Sequence, residues 1–226
     1  MILLILAALL WVGVHVGIAG TAVRRRLAGR LGDNGFRGAF SLMSLLAISL
    51  LVIAWKSAPF LPLWRLPAAG TWVIVAVMLA AFVLFAGSVL TPNATSVGQE
   101  KALDREASGI FRVTRHPMLW SFALWGLCHI ASNGNVGATL FFGAFALTAL
   151  LGMPSIDAKI AAREPARFAA YARATSIVPF AAIAAGRNHF APAELLRPAL
   201  IGAVAWGALL YAHPYIFGVP ALPVGQ

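Results

Sequence analysis

Two histidines, His15 and His129, stand inside long apolar runs, and each follows a tryptophan, Trp11 and Trp125, by four residues. On a helix that spacing puts an indole one turn from an imidazole on the same face. An imidazole in hydrocarbon costs free energy unless it is partnered, so an ionisable residue there marks a functional site by default. His15 is 9 residues from Arg24 and His129 is 12 residues from Pro117. At the helical rise these are roughly 13 Å and 18 Å from the same side, near the middle of a hydrocarbon core about 30 Å thick. Two neutral imidazoles at matched depth on antiparallel helices can ligate one haem iron axially, or hold another metal. Ala8, Ala19 and Ala22 keep the His15 face small, and Gly126 and Ser132 do the same beside His129, leaving room for a flat ligand. The plainer reading, in which each histidine only hydrogen-bonds a neighbouring helix, stays open.

A second group opens the stretch that carries His129. Arg115-His116-Pro117 stands at a membrane surface, with the proline in a first helical turn where it is tolerated. Arg115 and His116 can face phosphate or carboxylate groups there, or serve as an interfacial anchor. Cys128 diverges by ~100° from His129 on the helix and reads as a small membrane residue rather than a thiolate ligand. His213, between Tyr211 and Tyr215, fits an interfacial aromatic belt and is a reserve ligand, while His189 lies in a polar loop. No acidic residue is expected in a span near the histidines, which argues against a di-metal carboxylate site. One cysteine excludes an internal disulfide and a Cys-rich metal site. Without a CxxCH, covalent haem attachment is not expected. Without a Gly-rich phosphate loop, HExxH or GxSxG, nucleotide hydrolysis and ordinary hydrolase chemistry have no support.

The elements that must position these residues are membrane helices. Of 226 residues, 61% are hydrophobic and only 11% charged, well under the quarter that a soluble domain uses to cover its surface. The expected fold class is all-α: a polytopic membrane helical bundle in a single domain over residues 1–226. Its six spans lie near 2–23, 39–57, 70–90, 117–133, 136–153 and 198–217. Ser132-Asn133-Gly134-Asn135 should turn the fourth span into the fifth. Gly13 and Gly17 read as a close helix contact on the far side of the first span. The net charge of +10 sits in short stretches between apolar runs, which suits orientation in a membrane and not nucleic acid. Fifteen of the 17 basic residues fall on alternate connections, those after the first, third and fifth spans. That side is cytoplasmic by the positive-inside rule, and both termini are then outside. The first stretch has no basic residue ahead of its apolar run, so it is expected to remain attached. Residues 98–112 should form a short helix leading to Thr114. Residues 155–175 should form two short basic helices along the lipid surface, with Pro165 at a helix start; a solvated linker is the alternative.

Two blocks, MILLILAALLWVGVHVGIAGTAVRRRLAGRLGDNGFRGAFSLMSL and RVTRHPMLWSFALWGLCHIASNGN, resemble the NnrU family of integral membrane proteins. That family takes its name from a bacterial gene linked to denitrification and nitric oxide metabolism, and it includes the haem-dependent plant 15-cis-zeta-carotene isomerase. The resemblance implies haem b, with iron held by His15 and His129 beside Trp11 and Trp125, in a bacterial inner membrane. It implies cis–trans isomerisation of a carotenoid-like polyene, or a redox or nitric oxide role, with an apolar small molecule or a redox partner. The plant enzyme's redox-linked cysteine falls at Gly126 here, with Cys128 displaced. Arg115-His116-Pro117 and the downstream REPARFAAYARATSIVPF are also similar to isoprenylcysteine and phospholipid methyltransferases. Carried over, that likeness implies S-adenosylmethionine-dependent methyl transfer at Arg115, His116, Glu164, Tyr171 and Arg173. A non-catalytic membrane assembly factor is the third possibility.

Overall fold

A computed structural model describes residues 1–18, 22–95 and 100–222. Ala19 lies outside the described residues, as do residues 98 and 99 of the expected 98–112 helix and the side chain of Ala22. The described chain is helical, with no strand and one isolated bridge between Pro62 and Asn135.

Helix α1 (Ile2–Val12) is apolar on every side, as a helix in lipid can be. It continues into a π-helical turn at Gly13–Ile18, which carries His15. Helix α2 (Ala22–Lys56) is longer than the expected 39–57 span, because the arginine-rich segment read as a loop is itself helical. Arginine, leucine and alanine are good helix formers. The break comes at Gly32, whose φ of 72° only glycine adopts readily. Helix α3 (Ala68–Leu90) matches the third expected span. A 3-10 turn (Glu100–Asp104) and the short α4 (Ile110–Val113) replace the single helix expected over 98–112. Helix α5 (Pro117–Asn133) has the predicted bounds. Helix α6 (Val136–Arg163) does not stop near 153 but passes through Pro154, whose ring is exposed. The two basic helices expected at 155–175 are therefore the end of α6 and α7 (Pro165–Ala174), the latter started by Pro165. Helix α8 (Ala181–Ala184) and helix α9 (Pro192–Phe217) complete the chain.

Four helices among the described residues are long and apolar enough to cross a membrane: Arg26–Lys56 within α2, then α3, α6 and α9. The apolar Ile2–Ile18 stretch and α5 are shorter, α5 having 17 residues, the low end of what spans hydrocarbon. Apolar side chains on these helices are widely exposed, among them Leu42, Leu45, Trp72, Val204 and Tyr211. Together with their length this makes the chain a membrane protein.

The contacts divide the chain into two units, Met1–Leu66 with Trp125–Ser155, and Pro67–Leu124 with Ile156–Gln226. The first has a core without a polar side chain, built on Leu4, Ala7, Leu51, Ala54, Ala138, Phe141 and Phe142. In the second, α3 and α9 approach closely: a Cβ on Gly202 would come within 2.8 Å of Val83 Cα. Among the described residues, the buried polar side chains, including Asn93, Thr114, His116, Asp157 and Thr175, all fall in this second unit.

The turn that sets the direction of α6 is tied down from outside. Gly134 accepts from the backbone N–H groups of Leu63 (2.7 Å) and Trp64 (3.1 Å), and Val136 N–H donates to Leu61 (3.0 Å). Gly134 has φ +55°, and a Cβ there would overlap the Trp64 carbonyl oxygen. Gly134→Ala therefore meets a left-handed penalty of about 1–2 kcal/mol plus that clash. The expected result is a lower melting temperature in detergent, with helix content by circular dichroism unchanged below the transition.

Candidate functional site

The first unit brings the two membrane histidines to a common set of rings. His15 Nδ1–H donates to the Trp11 carbonyl at 2.9 Å, and His129 Nδ1–H donates to the Trp125 carbonyl at 2.8 Å. A carbonyl only accepts, so these bonds fix the proton on Nδ1 and leave Nε2 as the lone-pair nitrogen of each neutral ring. This is the arrangement in which imidazoles bind metals, the second nitrogen holding the ring's orientation and tautomer. His15 Nε2 lies 3.5 Å from Ser44 Oγ, a long contact.

The rings themselves form a chain. Trp11 lies 4.0 Å from His15 and 4.7 Å from Phe145 of α6; Trp125 lies 5.1 Å from His129 and 5.4 Å from the same Phe145. Phe142 stacks on His129 at 4.7 Å, and Phe40 meets His15 edge-on at 5.5 Å. Each predicted Trp–His pair is thus real, and Phe145 is the ring that both indoles share. Sequence reasoning missed Phe145 because nothing in the apolar run around it, from Leu140 to Leu147, marks it out. It also missed the π-helical turn under His15, a feature frequent at functional sites.

Two expectations about space are corrected. Gly126 does not leave room beside His129; a Cβ there would meet the Phe142 carbonyl oxygen at 2.8 Å and Ala146 at 3.0 Å, so the missing side chain admits α6. Gly13 and Gly17 do not make the close helix contact, since a Cβ at either meets nothing within 4 Å. Ala8 is packed into the first unit's core and Ser132 Oγ donates to the Cys128 carbonyl, 2.8 Å away. Cys128 is buried and free.

The second unit holds a different cluster. His116 is 1% exposed and donates Nε2–H to Asp157 Oδ1 at 2.8 Å. Arg115 donates Nε–H and Nη2–H to the other oxygen, Oδ2, at 2.8 and 2.6 Å. The anionic group that Arg115 and His116 face is therefore an internal carboxylate. His116 Nδ1 is buried without a hydrogen-bond partner. Thr114, also buried, donates Oγ1–H to the Ile177 carbonyl at 2.7 Å and accepts the His116 N–H at 3.3 Å, fixing the entry to α5. The Arg115 guanidinium lies 5.9 Å over the Phe168 ring. Tyr171 is buried nearby, and burial pushes its phenol up. Tyr171 also lines a small pocket with Thr91, Arg105, Ser108 and Phe111.

Of the five methyl-transfer positions, Arg115, His116 and Tyr171 are gathered around Asp157. Glu164 instead pairs with Arg167 at 3.1 Å, and Arg167 also binds Asp104 at 2.6 Å. Arg173 is exposed, with its carbonyl accepting from Arg187. His189 lies 3.5 Å from Arg112, and His213 donates to the Val219 carbonyl at 2.7 Å beside Phe217. Among the described residues no group of three His, Cys, Asp or Glu could hold a metal ion.

Comparison with known proteins agrees with this membrane-helical architecture. The NnrU protein family matches residues 3–221. The chain is 29% identical to the chloroplastic 15-cis-zeta-carotene isomerase of Arabidopsis thaliana over 95% of its own length and 60% of that protein's. It is 26% identical to the chloroplastic 15-cis-zeta-carotene isomerase of Zea mays over 83% of its length and 52% of that protein's. The chain thus spans between half and two thirds of these relatives. No solved structure matches it. With the family matched over nearly the whole sequence, the chain belongs to the NnrU family.

Proposed function

We propose that this protein holds haem b between His15 and His129 and isomerises a cis double bond in a polyene of the carotenoid type. The observation that carries the reading is the matched pair of imidazoles, each tied through Nδ1 to the carbonyl one turn back. A porphyrin would bring ring nitrogens of its own to the iron, so His15 and His129 would suffice to hold it where no three-residue protein cluster exists among the described residues. When bound, haem supplies a redox-active iron that can engage the π electrons of a double bond. The protein's part is to orient the imidazoles and to keep the surroundings dry. Trp11, Trp125, Phe142 and Phe145 wall the histidines with hydrocarbon, and no charged side chain belongs to that core. An apolar substrate would reach such a site from the bilayer. In this reading the two 17-residue apolar stretches also cross, giving six spans in a bacterial inner membrane with both termini outside. A redox or nitric oxide role at the same iron is the second use of the site.

The test is an absorption spectrum of the protein purified in mild detergent, recorded before and after dithionite. A Soret band that shifts on reduction, with sharpened visible bands, is expected. Its absence after haem is supplied during expression would sink the reading. His116→Ala should leave the spectrum intact, because His116 is committed to Asp157.

A further inference from the structure

A cleft within the second unit is lined by the side chains of Thr91, Arg105, Glu106, Ser108 and Tyr171. It lies beside the end of the apolar helix α3, whose last residue is Leu90, the level at which a spanning helix meets headgroups and water. Its room is about 50 Å³. At about 10–15 Å³ for one water, that suits a few waters or one small tetrahedral oxyanion. Tyr171 is the buried member, 6% exposed. Its ring packs with Ala102, Leu103, Ile160 and Phe168, which a phenylalanine would do as well. Among the described residues its phenol oxygen is neither hydrogen-bonded nor sealed in, whereas polar groups on buried side chains are seldom left without a partner. Burial pushes the phenol's pKa up, so it stays a neutral donor.

We propose that this cleft binds a phosphate group that keeps one proton, as a phosphate monoester or hydrogen phosphate does. The Arg105 guanidinium balances the charge, and its fork matches two phosphate oxygens. The hydroxyls of Tyr171, Ser108 and Thr91 are further donors on the same lining. Glu106 sets the class. An ionised carboxylate only accepts, so Glu106 favours an anion with a P–OH to donate and repels one without. Sulfate and phosphodiesters have no such proton near neutral pH, while a phosphate monoester keeps its second proton up to about pH 6. Arg105, Glu106 and Tyr171 are the titratable groups of the lining. The same monoester chemistry is offered by a soluble phosphate and by a lipid such as phosphatidic acid.

The experiment titrates the full-length protein, in phosphate-free detergent buffer at about pH 6, with inorganic phosphate and with sulfate in a calorimeter. Phosphate should bind on the order of tenfold more tightly than sulfate. Tyr171→Phe keeps the packed ring and removes one donor to a charged group, so it should weaken phosphate binding by on the order of tenfold. Glu106→Gln changes an exposed side chain and gives it an N–H donor, so it should bring sulfate level with phosphate or above it. Phosphatidic acid and phosphatidylglycerol, each added to the micelles, then identify the source. Displacement of phosphate by phosphatidic acid alone supports a lipid monoester, and displacement by neither supports a soluble one. Displacement by phosphatidylglycerol, a diester, overturns the proposal. So does the absence of phosphate binding, equal affinity of the wild type for phosphate and sulfate, or unchanged phosphate affinity in Tyr171→Phe.

Discussion

His15→Ala and His129→Ala are each expected to remove the Soret band of the purified protein or to convert it to that of a weakly held, singly ligated haem. Affinity should fall by at least on the order of a hundredfold, beyond the 10–100-fold typical when only an outer-shell partner of a metal ligand is lost. The effect should be local. Each histidine makes one Nδ1 bond to a carbonyl of its own helix, worth about 1 kcal/mol net, and alanine is the best helix former. Circular dichroism and detergent gel filtration should therefore match wild type. Free imidazole added to either variant should restore part of the band, because the substitution leaves the space of a ring beside Trp11 or Trp125. Wild-type spectra in both variants would mean that the iron, if present, is held elsewhere, with His213 the next residue to test.

How much of this was legible in the sequence depended on whether the informative signal was local. Trp11–His15 and Trp125–His129 are helical i, i+4 pairs, and the structure brings the rings of both into tilted contact, as neighbours on one helix face. Pro165 opens a helix as its fixed φ predicts, and Gly134 turns the chain where the Ser-Asn-Gly-Asn run stands. What escaped was set by packing between elements. Phe145 is one phenylalanine among 14 in the chain, and only the fold shows that both indoles touch it. Gly126 looked like a gap for a ligand because a glycine reports a close approach without saying by what; here the visitor is the backbone at Phe142. Asp157 was hidden by Pro154, which invites the reader to end the helix. Yet Met153, Asp157 and Ile160 are all buried, at helical spacing. An acid on an apolar helical stripe was a signal that the sequence did contain.

Asp157→Ala is expected to be the most destabilising single substitution in the second unit. It removes the carboxylate that accepts from both Arg115 and His116, leaving a guanidinium of 12% side-chain exposure and a fully enclosed imidazole without their acceptor. Breaking a buried pair by deleting one partner typically costs about 3–5 kcal/mol, because the remaining charge is left uncompensated. For a chain of this size that corresponds to a fall in melting temperature on the order of 10 °C. Asp157→Asn separates charge from hydrogen bonding. Its amide oxygen can still accept from His116, but its NH2 group then faces the donors of Arg115, so the loss should be smaller and still substantial. The sharpest arm removes the whole cluster: Arg115→Met, His116→Phe and Asp157→Leu together. Replacing a buried ionic group by apolar residues of similar volume is often neutral or stabilising. If the cluster serves stability alone, the triple variant should therefore melt near wild type and keep its function. A triple variant that is stable but inactive, with its haem spectrum unchanged, would show that His116 and Asp157 take part in the reaction. A triple variant as unstable as Asp157→Ala would mean that the geometry of Thr114 and the α5 entry depends on the ion pair itself.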